Sequence, residues 1–165
     1  MVKPLEFALA MEASIAEKMR VLHVDCSADL AKLLNRLIQS QQSFAQLIEQ
    51  AKGSDVAVIE LTMDAAGLIG GDAEWAAITA RFQPGDSPLL ADAAALWSVH
   101  AMLDKASQFY LQASKQVEPP QLRLFFGNLA EIKLMLRRRV GAVERILANQ
   151  AWKEIGFAPG LLGKE

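Results

Sequence analysis

A lysine stands in the middle of a stripe that is otherwise apolar. In QLRLFFGNLAEIKLMLRRRVGAVERIL, residues 121–147, Phe126, Leu129, Leu136, Val140, Val143 and Leu147 recur in steps of three and four, the spacing of one helix face. The residue that completes the stripe is Lys133. An ammonium buried without a partner is costly, so such a seam is stable only where another element meets the charge. That demand constrains whatever surrounds this helix.

Two further seams are interrupted in the same way. Leu5, Ala8, Ile15, Met19 and Leu22 form a stripe completed by Glu12, in a helix expected from Pro4 to about His23. Proline suits its first position, where the missing N–H has no partner to lose. Leu30, Leu34, Leu37, Phe44 and Ile48 form another stripe, completed by Gln41, over residues 28–52 with a stop at Gly53. The link Val24-Asp25-Cys26-Ser27 is short, which makes these two helices antiparallel neighbours, and it offers Asp25 and Ser27 as N-caps. A third long helix is expected after Ser87-Pro88, running to about Gln116, with Leu89, Ala93, Leu96, Val99, Leu103, Ala106 and Tyr110 inward. Glu118-Pro119-Pro120 then breaks the chain, and the Lys133 helix returns antiparallel to it.

Between the two hairpins lies a connection over 53–87 of roughly 35 residues, long for a simple loop. In DAEWAAITARF, Trp75, Ile78 and Phe82 share a helical face, and Asp72 is the expected cap. Residues 56–61 fit a helix or a strand, and Gly70-Gly71 and Pro84-Gly85 punctuate the segment. The tail, 156–165, reads as irregular. The layout is an all-α four-helix bundle of the ferritin-like type, with two antiparallel hairpins joined by a long, partly helical crossover in a single domain, 1–165.

The totals narrow the function classes. A chain of 165 residues, 52% hydrophobic, suffices for one domain with an ordinary core. The formal net charge of -2 supplies no basic field for nucleic acid. One cysteine, Cys26, allows neither an internal disulfide nor a four-cysteine metal site, and it points to a reducing, cytoplasmic setting. No apolar run is long enough to span a membrane, and Glu6 and Glu12 interrupt the N-terminal segment, so neither an anchor nor a signal peptide is expected.

With this layout in view, the chain resembles the rubrerythrin-like branch of the ferritin-like superfamily. The resemblance is carried by ALWSVHAMLDKASQFYLQA (95–113) and LRLFFGNLAEIKLML (122–136), and less closely by LAKLLNRLIQSQQSFAQLI (30–48). It implies a bundle holding two iron ions with a Glu from each of two helices and a Glu-x-x-His from each of the others. Projected onto this chain, Glu12 keeps one carboxylate. The other ligand positions fall on Gln41 and Phe44, on Leu103, and on Lys133 and Leu136. The only histidines, His23 and His100, follow Arg20 and Trp97 at the required spacing, so no Glu-x-x-His exists. Replacing carboxylates by Leu, Phe and Lys removes ligands and negative charge alike. The resemblance implies homo-oligomerisation, and a dimer is expected.

The expectation at the seams is that Lys133 occupies the space of the lost cations, pairs with Glu12 and hydrogen-bonds Gln41. Set against it is a Lys133 that snorkels outward while Glu12 stays partly exposed. Other residues read more plainly. His23, Asp25 and Cys26 are turn and capping residues before they are metal ligands. His100 is an edge residue, and Trp75, Trp97 and Trp152 are core or interface anchors. Arg137, Arg138 and Arg139 point three ways around their helix, with Glu131 and Glu144 nearby, although with Lys133 and Arg145 they offer charge to an anionic ligand or an acidic partner subunit.

The reading is a non-catalytic bundle, structural or interaction-bearing, without metal. A second reading is an iron-binding oxidoreductase with displaced ligands, Glu12, His100, Asp104 and Glu131. A third is a binder of a small apolar ligand among Phe44, Leu103 and Leu136.

Overall fold

The computed structural model describes residues 3–53, 64–82, 89–118, 120–154 and 156. The segment 56–61, the Ser87-Pro88 start signal, the Leu89 side chain and the tail beyond 156 lie outside the described residues. Those described fold into six helices and no strand: α1 Pro4–His23, α2 Ala28–Gly53, α3 Ala65–Ile69, α4 Asp72–Ala80, α5 Leu89–Gln116 and α6 Pro120–Glu154. Among them, no helix is long and apolar enough to cross a membrane.

The long helices pair as the short links dictate, α1 with α2 and α5 with α6. Contacts between α5 and α6 run in opposite order along the two helices. His100 lies against Gly141, Asp104 pairs with Arg137, and Tyr110 stacks on Phe126 with ring centroids 5.8 Å apart. A Cβ on Gly141 would come within 3.3 Å of the His100 ring, so the glycine permits this close approach of the helices.

The hairpins meet through α1 and α5. At one end Phe7 packs on Phe109, centroids 4.8 Å apart. At the other, Asp92, buried on α5, accepts from Ser27 N at 3.1 Å and from Ser27 Oγ at 2.5 Å. Ser27 Oγ also accepts from Leu30 N at 3.2 Å, which makes Ser27 the N-cap of α2. Asp25, the other candidate, makes no such bond among the described residues.

The predicted stripes form the core. Leu30, Leu34, Leu37, Phe44 and Ile48 of α2 are fully buried, as are Leu96, Val99, Leu103 and Tyr110 of α5 and Phe126, Leu129, Leu136, Val140 and Val143 of α6. On α1, Ala8, Ile15 and Met19 are inside, whereas Leu5 and Leu22 at its ends are only partly covered.

The crossover holds α4 where the Trp75 pattern placed a helix, together with the short α3, which the periodicity did not reveal. Gly70 joins them at φ 90, a conformation that side chains with a Cβ rarely adopt, and its N–H closes α3 onto Ala66 O at 2.9 Å. Asp72 is not the cap expected of it. Gly71 holds that position, and Asp72 lies inside the first turn, where its carboxylate pairs with Arg139 on α6 at 2.9 Å. Arg139 also donates to Gly70 O and lies 5.8 Å over the Trp75 ring, so one side chain fastens both small helices to α6. Trp75 Nε1 donates to Ile69 O at 2.6 Å, and Trp75, Ile78 and Phe82 are buried.

Trp97 is not a core anchor. It is 66% exposed on α5, and Trp152 is 37% exposed near the end of α6.

Candidate functional site

The three polar residues of the seams meet at the centre of the bundle. Each takes the next place in its helix's apolar step, so the packing that buries the stripes carries Glu12, Gln41 and Lys133 inward together. Glu12 and Gln41 are 1% exposed and Lys133 is 0% exposed. Snorkelling is therefore not what Lys133 does.

The geometry divides the ammonium's interactions among three side chains on two helices. Lys133 Nζ lies 2.7 Å from Glu12 Oε2 on α1 and donates to Gln41 Oε1 on α2, also at 2.7 Å. It sits 3.9 Å from the centroid of the Phe44 ring, a cation–π contact in a dry setting. Gln41 turns its amide nitrogen the other way, donating to Glu12 O at 3.2 Å and to Glu12 Oε1 at 3.3 Å. One amide thus bridges cation and anion, presenting oxygen to Lys133 and nitrogen to Glu12. The Oε2 contact with Lys133 is an ion pair without the alignment of a hydrogen bond.

Burial lowers the pKa of Lys133 by disfavouring its charged form, and the negative charge of the Glu12 carboxylate opposes that shift. Tyr110 on α5 brings the fourth helix to the group. Its hydroxyl is buried without an aligned partner among the described residues. Its pKa is raised well above the ordinary value, first by burial and then by the negative charge of Glu12. Tyr110 was placed on the inner face of its helix by periodicity. Its nearness to Glu12 had no sequence signal, because it depends on how two helices from different hairpins are rotated.

This donor set does not fit a metal cation. Its one carboxylate is already neutralised, and the fixed ammonium would repel an incoming cation. Phe44, whose ring lies under the ammonium, and Leu103 and Leu136 have no exposed surface and belong to the hydrocarbon core.

The displaced-ligand set does not assemble either. Among the described residues, no group of three or more His, Cys, Asp or Glu side chains lies together as metal ligands must. Asp104 faces Arg137, with which it forms an ion pair, His100 packs on Gly141, Glu131 is exposed, and Glu12 is committed to the core. At the α1–α2 turn, Cys26 Sγ donates to His23 O at 3.3 Å. Burial, followed by the charge of Asp92, raises the thiol's pKa, which favours its protonated form.

The basic residues of α6 do not form one anion site. Lys133 is internal, Arg137 pairs with Asp104, Arg139 holds α3 and α4, and Arg138 and Arg145 face solvent. Open grooves lie outside the core among the described residues. One of about 550 Å³ runs between α5 and α6 past Leu111, Gly127 and Leu134, and one of about 180 Å³ lies between α2 and α4 beside Arg36 and Glu74.

Set against protein-family models, curated proteins and solved structures, the chain finds no match in any of the three.

Proposed function

We propose that the chain is a ferritin-like bundle related in pattern to rubrerythrins, in which an internal ion pair replaces the metal ions, and that it serves as a non-catalytic structural or interaction protein. The observation that carries this reading is the Lys133 ammonium, held at the bundle centre by Glu12 Oε2 and Gln41 Oε1, each at 2.7 Å. A positive charge fixed there supplies the electrostatic partner that a buried carboxylate needs. The order of elements supports the architecture: a hairpin, a crossover with its own short helices, and a second hairpin whose α5 lies beside α1.

A catalytic role would require a reactive group within reach of a substrate. Lys133 and Glu12 have no solvent-exposed side-chain surface, and each satisfies the other. The test is elemental analysis of untagged protein produced with added iron and manganese. Metal well below one per chain, with a denaturation midpoint insensitive to chelator, is the expected result. Near-stoichiometric iron or manganese would overturn the proposal and favour a metal-dependent oxidoreductase.

A further inference from the structure

The buried seam of α6 has a counterpart on the opposite side of the same helix. Leu124, Glu131, Arg138, Arg145 and Trp152 recur every seven residues, displaced by two positions, about 200°, from the seam. Met135 and Ala142 fill the two central intervening steps and Asn128 and Asn149 the two outer ones, so an alternation of three and four, the spacing of a helix-pairing face, runs the length of the ridge. All of these side chains except the partly covered Asn149 are exposed, Leu124 by 67% and both Met135 and Trp152 by 37%, although Trp152 is also engaged within its own chain. Glu131, Arg138 and Arg145 enter no ion pair among the described residues, unlike Arg137 and Arg139 beside them.

The order of these residues is its own complement when reversed. Lay a second α6 antiparallel across the first, with the twofold axis at Arg138. Leu124 then faces Trp152 of the second copy, Glu131 faces Arg145, and Met135 falls beside the small, exposed Ala142. Each contact occurs twice, as an isologous interface requires. From Leu124 to Trp152 the ridge is about 42 Å long at the helical rise, enough for several turns of helix–helix contact. We infer that the outer ridge of α6 is a homodimer interface that pairs antiparallel with a second copy of this chain about Arg138, its register set by reciprocal Glu131–Arg145 pairs.

The inference gives a surface to the interaction role proposed above and rests on that role. A heterologous acidic partner fits less well, because the ridge alternates apolar side chains with both signs of charge. The one like-charge contact is Arg138 with its own copy at the axis, which makes the dimer weaker than the ridge would otherwise support.

Sedimentation equilibrium of the full chain, with circular dichroism to verify folding, tests the interface. The expected result is a reversible dimer. Glu131→Arg and Arg145→Glu should each weaken it by about tenfold or more, since either places like charges opposite one another twice. The exchanged double variant Glu131→Arg/Arg145→Glu should restore the wild-type affinity, and Arg138→Leu should tighten it. All these positions are exposed, so the variants are expected to fold. A chain that stays monomeric at high concentration would overturn the interface, as would a dimer indifferent to single reversals or a double variant without rescue. None of those results bears on the metal-free core, which metal content tests separately.

Discussion

Lys133 Nζ lies 2.7 Å from Glu12 Oε2, and both side chains are wholly withdrawn from solvent. The pair joins the fourth long helix to the first, across the two hairpins, within the buried core. Each charge is tolerable there only because of the other. Removing Glu12 alone leaves a buried ammonium with an amide oxygen and a ring face. Glu12→Ala is therefore expected to lower the unfolding free energy by about 3–5 kcal/mol, read by urea denaturation. A loss below about 1 kcal/mol, the level of exposed pairs, would contradict the geometry.

Tyr110 gives the core a spectroscopic reporter, because the chain has no other tyrosine. Its folded-state pKa lies well above the ordinary 10.0, so the folded chain retains a proton that the unfolded chain releases. The associated stability is complete below pH 10.0 and declines as the pH rises beyond it. Tyrosinate absorbance is expected to appear only as the helices melt, and Tyr110→Phe to move alkaline unfolding to higher pH. Lys133 works in the other direction. Its folded pKa is lowered, so its contribution grows as the pH rises towards 10.5, and Lys133→Met should abolish that slope. A tyrosine titrating near pH 10 in an intact bundle would contradict this account.

The Ser27–Asp92 contact fastens the α1–α2 turn to the start of α5. Ser27→Ala removes both the cap of α2 and one of the two bonds to Asp92, and should cost about 1–2 kcal/mol. Asp92→Ala leaves the Ser27 N–H without its acceptor and should cost about 1–3 kcal/mol. Denaturation midpoints measure both. An Asp92→Ala protein as stable as wild type would show that the turn is held by packing alone.

Arg139 holds α3 and α4 through Gly70 O, Asp72 and the Trp75 ring. Arg139→Ala should speed amide hydrogen exchange in α4, as if its opening were easier by about 1 kcal/mol, and leave the central turns of α1 and α2 unchanged. Faster exchange throughout the bundle would mean instead that the crossover is part of the global folding unit.

What the sequence made legible follows from helical periodicity. Glu12, Gln41 and Lys133 were identifiable because each breaks an apolar step pattern, and a pattern that continues past a polar residue buries that residue. Tyr110 shows the limit: its face was readable, but its approach to Glu12 depends on the rotation of α5 against α1. Arg139 was hidden for a related reason. Its partners Gly70 and Asp72 lie in the crossover, and nothing local in either segment links them. Asp72 looked like a cap because Asp favours that position, but Gly71 holds the cap and the carboxylate is drawn to Arg139. Trp97 read as a core or an interface anchor from its bulk alone, and the structure excludes only the core, because its place on α5 faces away from the seam of Leu96 and Val99.

The central claim, that the core is organised by a mutually dependent ion pair, is tested most directly by a double-mutant cycle on Glu12→Leu and Lys133→Met. Removing either charge strands the other, while removing both leaves hydrocarbon and Gln41. The expected result is a double variant more stable than either single variant, with a coupling energy of about 2 kcal/mol or more. Additive losses would mean that Glu12 and Lys133 are stabilised independently and that the pair does not organise the bundle.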